Sequence, residues 1–301
     1  MHTDKMAFLK NEMISYRVVF EDFMRQTKEL RKSKVPENLF EAMEYSLDAG
    51  GKRLRPILCM AAAKRCGCSL ESALPMAMGL EMFHTASLIH DDLPCMDNDD
   101  MRRGKPSNHI VFGETMAVLA GDSLLTQSME FPLLHTNGVS DKNLLRAIKI
   151  FSSAIGPSGV CGGQVLDMNA EAALENSDYV RKIAALKTGA LIKASVLAGA
   201  ALGTDDEDIL SCYNNYGAHL GSAFQIVDDI LDVIGTDEQM GKTVGKDAEQ
   251  GKITHVTVFG LEKARIMAQE ESSMAKNAIS SLLGKDDFLI GLPDYLVYRT
   301  N

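Results

Sequence analysis

The chain has 301 residues, a net charge of −10, and 46% hydrophobic against 24% charged residues. That balance excludes disorder for the bulk of the chain and argues against a duplex nucleic-acid partner, and the length permits a core without disulfides or a structural metal. The absence of Trp, with seventeen Met and eight Pro, leans the composition toward helix.

In chain order, Met1–Phe20 mixes Asp4, Lys5, Lys10 and Glu12 with apolar residues, and no secretory signal is visible in it. Asn38–Ala49 carries Leu39, Ala42, Met43, Ser46 and Leu47 at amphipathic helical spacing, with Asn38 as its expected N-cap and Gly50-Gly51 as its end. Pro56 is expected to open a helix over Ile57–Arg65. A turn at Cys66–Ser69 leads to a long apolar helix, Leu70–His90, and then to a polar loop, Asp97–Asn108. Helix starts are expected at Ser140-Asp141 and Ser177-Asp178, and Thr204-Asp205-Asp206 separates Lys182–Leu202 from Ile209–Ile234. Gly235–Thr254 reads as a mobile surface loop. No apolar run reaches the ~20 residues of a membrane span, because Glu81 and Lys193 interrupt the best candidates. Six scattered cysteines read as reduced thiols of a cytoplasmic protein, and Cys66-Gly-Cys68 has no second Cys/His pair to make it a metal site. The expectation is one all-α domain over residues 1–301, a bundle of roughly ten or more helices at ordinary helix lengths.

Two acidic sets stand out. Asp91-Asp92-Leu-Pro-Cys-Met-Asp97 closes an otherwise apolar helix, and Asp228-Asp229-Ile-Leu-Asp232 lies within another. The i, i+1, i+4 spacing of the second puts Asp228 and Asp232 one turn apart with Asp229 beside them. Either set alone would read as a solvated helix edge. Two sets on two apolar helices point instead to a hard cation that keeps its waters and holds a substrate phosphate, namely Mg²⁺. Basic residues complement them: Gly51-Lys52-Arg53-Leu-Arg55 at a helix start, Arg102-Arg103 with Lys105, Lys187-Thr188, and Lys242, Lys252 and His84. Together they describe a diphosphate-binding cavity. On a buried helix His84 could be a satisfied core histidine, but its place two turns before Asp91 favours a ligand role. Gly241-Lys242-Thr243 lacks the first glycine and the preceding strand of a nucleotide P-loop.

Gly51-Lys52-Arg53-Leu54-Arg55-Pro56, the first acidic set with Arg102-Arg103-Gly104-Lys105-Pro106, Gly162-Gly163-Gln164, Lys187-Thr188, and Phe224-Gln225 leading into Asp228-Asp229-Ile-Leu-Asp232 occur in the order found in trans-isoprenyl diphosphate synthases. From about Pro36 to its end the chain resembles that family, and most of all its short-chain farnesyl and geranylgeranyl members. The resemblance implies the isoprenoid synthase fold, an all-α bundle around a central cavity, in a homodimer. It implies isopentenyl diphosphate and an allylic diphosphate as substrates.

It also implies residue roles. Asp91, Asp92 and Asp97, opposite Asp228 and Asp232, would hold three Mg²⁺. Arg102, Lys187 and Lys242 would grip the allylic diphosphate, and Gly51, Lys52, Arg55, His84 and Arg103 would bind isopentenyl diphosphate. Thr188 and Gln225 would aim oxygen dipoles at the developing cation, and Lys252 would reach in when its loop closes. His255-Val256 departs from the aromatic-Pro pair that often follows in the family. A terpene cyclase or head-to-head synthase on the same fold would lack the Gly-Lys-Arg site, and a catalytically silent subunit tends to lose an acidic set. For product length, small Ser87 and Ala86 lie four and five residues before Asp91, and bulky Phe83 and Met82 lie one turn deeper. One turn is about 5.4 Å, close to one isoprene unit, so a C20 product is expected over C15.

Overall fold

A computed structural model describes residues 2–169, 177–234 and 253–298. The expectations for Lys242 and Lys252, and for the loop around them, fall at 235–252, outside the described residues. The architecture is all-α. The chain opens with α1 (His2–Gln26), α2 (Lys28–Lys32), α3 (Glu37–Leu47), α4 (Leu54–Arg65) and α5 (Leu70–Asp91). A short hairpin, β1 (Met101–Arg102) and β2 (Lys105–Pro106), precedes α6 (Asn108–Phe112), α7 (Glu114–His135), α8 (Asp141–Ile155) and α9 (Val160–Met168). Then follow α10 (Ser177–Ile183), a π-helical turn (Ala184–Gly189), α11 (Ala190–Gly203), α12 (Glu207–Ile234), α13 (His255–Phe259), α14 (Leu261–Ile279) and α15 (Phe288–Val297).

The core lies where α5, α4, α11 and α12 meet, and its centre is built from small residues. A Cβ on Gly199 would collide with the Cys59 carbonyl, and one on Gly217 would come within 2.8 Å of Lys193 Cα. The backbones of α4, α11 and α12 therefore pack closer than side chains would permit, and an Ala at Gly199 would force them apart. The continuous helix Ser177–Gly203 is long and apolar enough to cross a membrane, contrary to the reading of the sequence, yet 67% of its apolar window is buried in the protein. Burial against neighbouring helices accounts for its hydropathy.

Local signals explain most boundaries. Ser69 and Ser140 cap α5 and α8, accepting the N–H of Ser72 and Asn143, each cap adding about 1 kcal/mol. Asn38 is not the cap of α3. The helix starts one residue earlier after Pro36, and the Asn38 side chain accepts the Leu39 N–H. The buried Glu44 on α3 is explained by Arg31, whose guanidinium pairs with it at 2.9 Å and donates to the Met24 carbonyl at 2.8 Å. α4 begins at Leu54, so Pro56 sits within its first turn.

Candidate active site

α5 ends at Asp91, with Asp92 as its C-cap. Carboxylates are disfavoured at a helix C-terminus, where the dipole is negative, so cations must offset them. The turn that follows folds back onto the helix end. Asp97 N–H donates to the Asp91 carbonyl at 2.8 Å, and Asp99 N–H to the Asp92 carbonyl at 3.2 Å. These bonds satisfy the free carbonyls of the last turn and bring Asp97 beside Asp91.

Asp91 and Asp97 line a cavity of about 210 Å³. Arg102, Asp167, Lys187, Thr188, Gln225, Asp229, Thr254 and His255 share its wall. Burial, with help from Asp97, pushes the Asp91 carboxyl up to about 6. Lys187 and Thr188 lie in the π-helical turn, an extra-residue distortion common at functional sites. Glycines hold that turn in place: a Cβ on Gly163 of α9 would strike the Lys187 backbone, and one on Gly221 of α12 would reach Gly189 Cα at 2.7 Å. Lys187 Nζ donates to Asp167 at 2.5 Å. Burial opposes the Lys187 charge, but the Asp167 carboxylate outweighs it and raises its pKa.

Asp92 is buried beside this cavity, and its carboxylate is taken by Arg102 Nε at 2.9 Å and by a second, short bond from the same guanidinium. The metal role expected of Asp92 and the diphosphate role expected of Arg102 therefore begin from a shared ion pair. From the second acidic set it is Asp229 that faces the cavity. It accepts Gln225 Nε2 at 2.8 Å on one oxygen, and His255 N at 2.8 Å and Nδ1 at 2.7 Å on the other. Asp228 is half-buried and close enough to Arg55 to support its charge, while Asp232 is buried.

The basic residues form a second wall. Between α3 and α4, Gly50, Gly51 and Arg53 adopt φ of +83°, +125° and +50°. Arg53 holds this left-handed conformation because its buried guanidinium pairs with Glu81 at 2.7 Å and donates to the Leu47 carbonyl at 2.7 Å. Arg53 thus anchors the loop that carries Lys52, which lines a separate pocket with Arg17 and Tyr295, and that leads into the first turn of α4, where Arg55 sits. The hairpin turns on Arg103 and Gly104, both at positive φ, the signature of a two-residue turn matched to strand twist. Arg103 donates to the Gly50 carbonyl, and a Cβ on Gly51 would lie 2.9 Å from its guanidinium carbon. Gly51 is required there by its backbone at φ +125°, since the guanidinium is the end of a flexible side chain and could shift. The polar loop expected over Asp97–Asn108 is thus a hairpin, clamped to α3 by Tyr45 Oη to the Pro106 carbonyl and Asn108 Nδ2 to the Ala42 carbonyl, each 2.8 Å.

Burial pushes the Arg55 guanidinium down to about 10, with Arg103 adding repulsion. Burial and then the nearby Arg55 and Arg103 hold His84 well below its usual range, so its imidazole is neutral at pH 7. Burial also lowers Arg103. These groups are poised for an anion, whose charge would relieve all three.

Asp167, Asp229, Thr254 and His255 line the cavity. Asp167 and Thr254 are not singled out in the sequence, Asp229 is named in its second acidic set without a role of its own, and His255 only as a departure from the family pattern. Asp167 stands three residues after Gln164 on α9, a spacing that could have flagged it. No local signal marks the pairing of His255 with Asp229, 26 residues away.

All the donors of the acidic wall are oxygens, and Asp91 is a desolvated carboxyl that an added cation would relieve. That set fits a hard divalent cation. Among the described residues no three acidic, His or Cys groups are already gathered as a cage. A cation here would complete its shell with water or with a substrate's oxygens.

Residues 36–284 match the polyprenyl synthetase family. The chain is 47% identical over 271 residues to a dimethylallyltranstransferase of Fischerella ambigua, covering 89% of this chain and 78% of that protein. It is 42% identical over 267 residues to a geranylgeranyl diphosphate synthase of Cyanophora paradoxa, covering 88% and 89%. A solved geranyltransferase from Helicobacter pylori, complexed with magnesium and isoprenyl diphosphate, superposes with a TM-score of 0.77 at 32% identity, covering 97% and 96%. With an acidic wall and a basic wall built from the motifs that the sequence carries, and with likeness of this extent, the chain belongs to the polyprenyl synthetase family.

Proposed function

We propose that this protein is a short-chain trans-prenyltransferase that joins isopentenyl diphosphate to an allylic diphosphate, with geranylgeranyl diphosphate as its main product. The observation that carries the reading is the pairing of opposite walls: desolvated Asp91 shares a cavity with Asp97, Lys187, Thr188 and Gln225, beside the basic cluster of Arg55, Arg103 and neutral His84. Asp91 and Asp97, with Asp92 and with Asp228 and Asp232 from α12, would hold the Mg²⁺, three ions in this reading. Bound Mg²⁺ supplies the positive charge that stabilises the leaving diphosphate.

The chain's own residues do the rest. Lys187 and Arg102 hold the allylic diphosphate, exchanging Asp167 and Asp92 for its oxygens. Arg55, Arg103, Lys52 and His84 hold isopentenyl diphosphate by its anionic end. The allylic C–O bond breaks with its electron pair leaving on diphosphate. The double bond of isopentenyl diphosphate attacks the cation, and a proton is lost to the departing diphosphate. Thr188 and Gln225 face the cation with oxygen dipoles, and the apolar flank of α5 keeps water away.

The product assignment rests on α5. Ala86 is small and buried, and Phe83 is buried one turn deeper, edge-on to Phe151 of α8 at 6.1 Å. Phe151 braces Phe83 as a floor. The test is incubation with Mg²⁺, isopentenyl diphosphate and dimethylallyl diphosphate, followed by chromatography of the dephosphorylated products. C20 from wild type and C15 from Ala86→Phe are expected. A wild type that stops at C15, or an Ala86→Phe variant that still makes C20, would refute the length assignment, and no diphosphate release would refute the activity.

The same reading includes a homodimer. Val118, Leu119, Leu125 and Leu133 are exposed on one side of α7, an apolar stripe suited to a second copy of itself. Sedimentation should give a dimer for wild type and a monomer for Leu125→Glu/Leu133→Glu, and a monomeric wild type would exclude it.

A further inference from the structure

The geometry points to Asp229 and His255 as positioning residues that fix the amide of Gln225 with its carbonyl oxygen toward the cavity. The inference rests on the prenyltransferase reading and deepens it. A glutamine amide has two nearly isosteric ends, and only its surroundings decide which one faces a ligand. Gln225 and Asp229 stand one turn apart on α12, with Gln225 Nε2 2.8 Å from Asp229 Oδ1. An ionised carboxylate only accepts, so the amide must present its NH₂ to Asp229, which turns Oε1 the other way. The reverse orientation would set carbonyl against carboxylate and aim NH₂ donors at a developing cation.

Asp229 is itself held from outside α12. His255 donates to Asp229 Oδ2 through both its backbone N–H, at 2.8 Å, and Nδ1–H, at 2.7 Å. The acceptor fixes the tautomer, with the proton on Nδ1. His255 is fixed in turn: it is 1% exposed, it follows Thr254 in a capping box with Thr257, and its ring stacks on Phe259 at 6.2 Å. With three donors on its two oxygens, Asp229 is spoken for as an orienting group. It belongs to an acidic set, yet its geometry serves an amide. Gln225, Asp229 and His255 all line the same cavity, so the chain of bonds ends where the cation forms.

The test is a double-mutant cycle on the full chain at saturating Mg²⁺ and substrates. Asp229→Asn is isosteric and can donate as well as accept, so the amide loses its enforced direction. We expect kcat to fall about tenfold, a modest fraction of what an aimed dipole can contribute, with KM for isopentenyl diphosphate unchanged. In a Gln225→Ala background the same substitution should cost less than about twofold, because the group it directs is gone. An equal cost in both backgrounds would overturn the inference, since a direct charge effect of Asp229, or a merely structural one, would survive the loss of Gln225. His255→Phe keeps the ring and the backbone donor, and should give a smaller kcat loss with the same dependence on Gln225. It also serves as the second probe if Asp229→Asn fails to fold.

A binding readout needs no turnover. Calorimetry compares a diphosphate analogue carrying an ammonium centre at the reacting carbon with its neutral isostere. The preference for the ammonium analogue should shrink in Asp229→Asn and in Gln225→Ala, and an unchanged preference in both would overturn the inference. If wild type transfers no prenyl group, the activity reading fails, while this binding ratio still decides the role of Asp229 and His255.

Discussion

The two walls of the site carry opposite electrostatic debts. On the acidic wall, burial raises Asp91 to about 6, with Asp97 adding repulsion, despite Lys187 and Arg102 nearby, so a bound cation would relieve it. On the basic wall, burial lowers Arg55 to about 10 and leaves His84 neutral among guanidiniums, so the wall lacks an anion. The walls also differ in how they are held. The acidic wall is built by helix ends and a π-helical turn, with its carboxylates already engaged: Asp92 by Arg102, Asp167 by Lys187, Asp229 by His255. The basic wall hangs on left-handed backbone at Gly50, Gly51, Arg53 and Arg103, locked by the buried Arg53–Glu81 pair. The difference teaches that one wall must exchange partners when ligands arrive, whereas the other is rigid and waits.

The strongest way to break the comparison is at the acidic wall. Asp91→Ala should lower turnover by about 10²-fold or more at saturating Mg²⁺ while the circular dichroism spectrum stays helical. Near-normal turnover would mean that the desolvated carboxyl is not part of the chemistry.

Next is the lock of the basic wall. Glu81→Leu leaves the Arg53 charge buried without its main partner, and should destabilise the fold by about 3–5 kcal/mol in denaturant unfolding. A change under about 1 kcal/mol would show that Arg53 reaches another counter-charge, and Glu21, 3.9 Å away, is the candidate.

A finer cut separates the two substrates. Arg55→Ala should raise KM for isopentenyl diphosphate about tenfold or more, as loss of a charge-assisted contact does, with KM for the allylic substrate little changed. A parallel rise in both would merge the two walls into one site.

The smallest expected effect concerns protons. With a folded pKa near 6, above the ordinary carboxylate value of 3.8, Asp91 binds its proton more readily in the folded state. Between those values the folded protein holds more protons than the unfolded one, so this group makes metal-free stability fall as pH rises through that window. Asp91→Asn should therefore raise the metal-free melting temperature at pH 7 by about 1–3 °C, and the gain should vanish by about pH 4. A gain that persists unchanged at low pH would assign it to something other than the Asp91 charge.

Several features of this protein were legible in the chain itself. Apolar periodicity, serine caps and a glycine stop place α3, α4, α5 and α12, the end of α11, and the starts of α8 and α10, to within a few residues, because those signals act over one turn. Asp91 and Asp97 could be picked out because an acidic set closing an apolar helix has no other local explanation, and Lys187-Thr188 as part of the basic complement, whereas Gln225 is marked only by the family resemblance. The structure gathers all five around one cavity. What the tertiary structure alone decided is partnership. Arg102 sits on Asp92 because a two-residue hairpin, clamped to α3 by Tyr45 and Asn108, carries it there. Asp167 meets Lys187 across α9 and the π-helical turn because Gly163 lets the backbones touch. His255 reaches Asp229 across a sequence separation of 26 residues. Such contacts depend on how helices cross and on which backbones approach without side chains between them, and no spacing within a single segment encodes that.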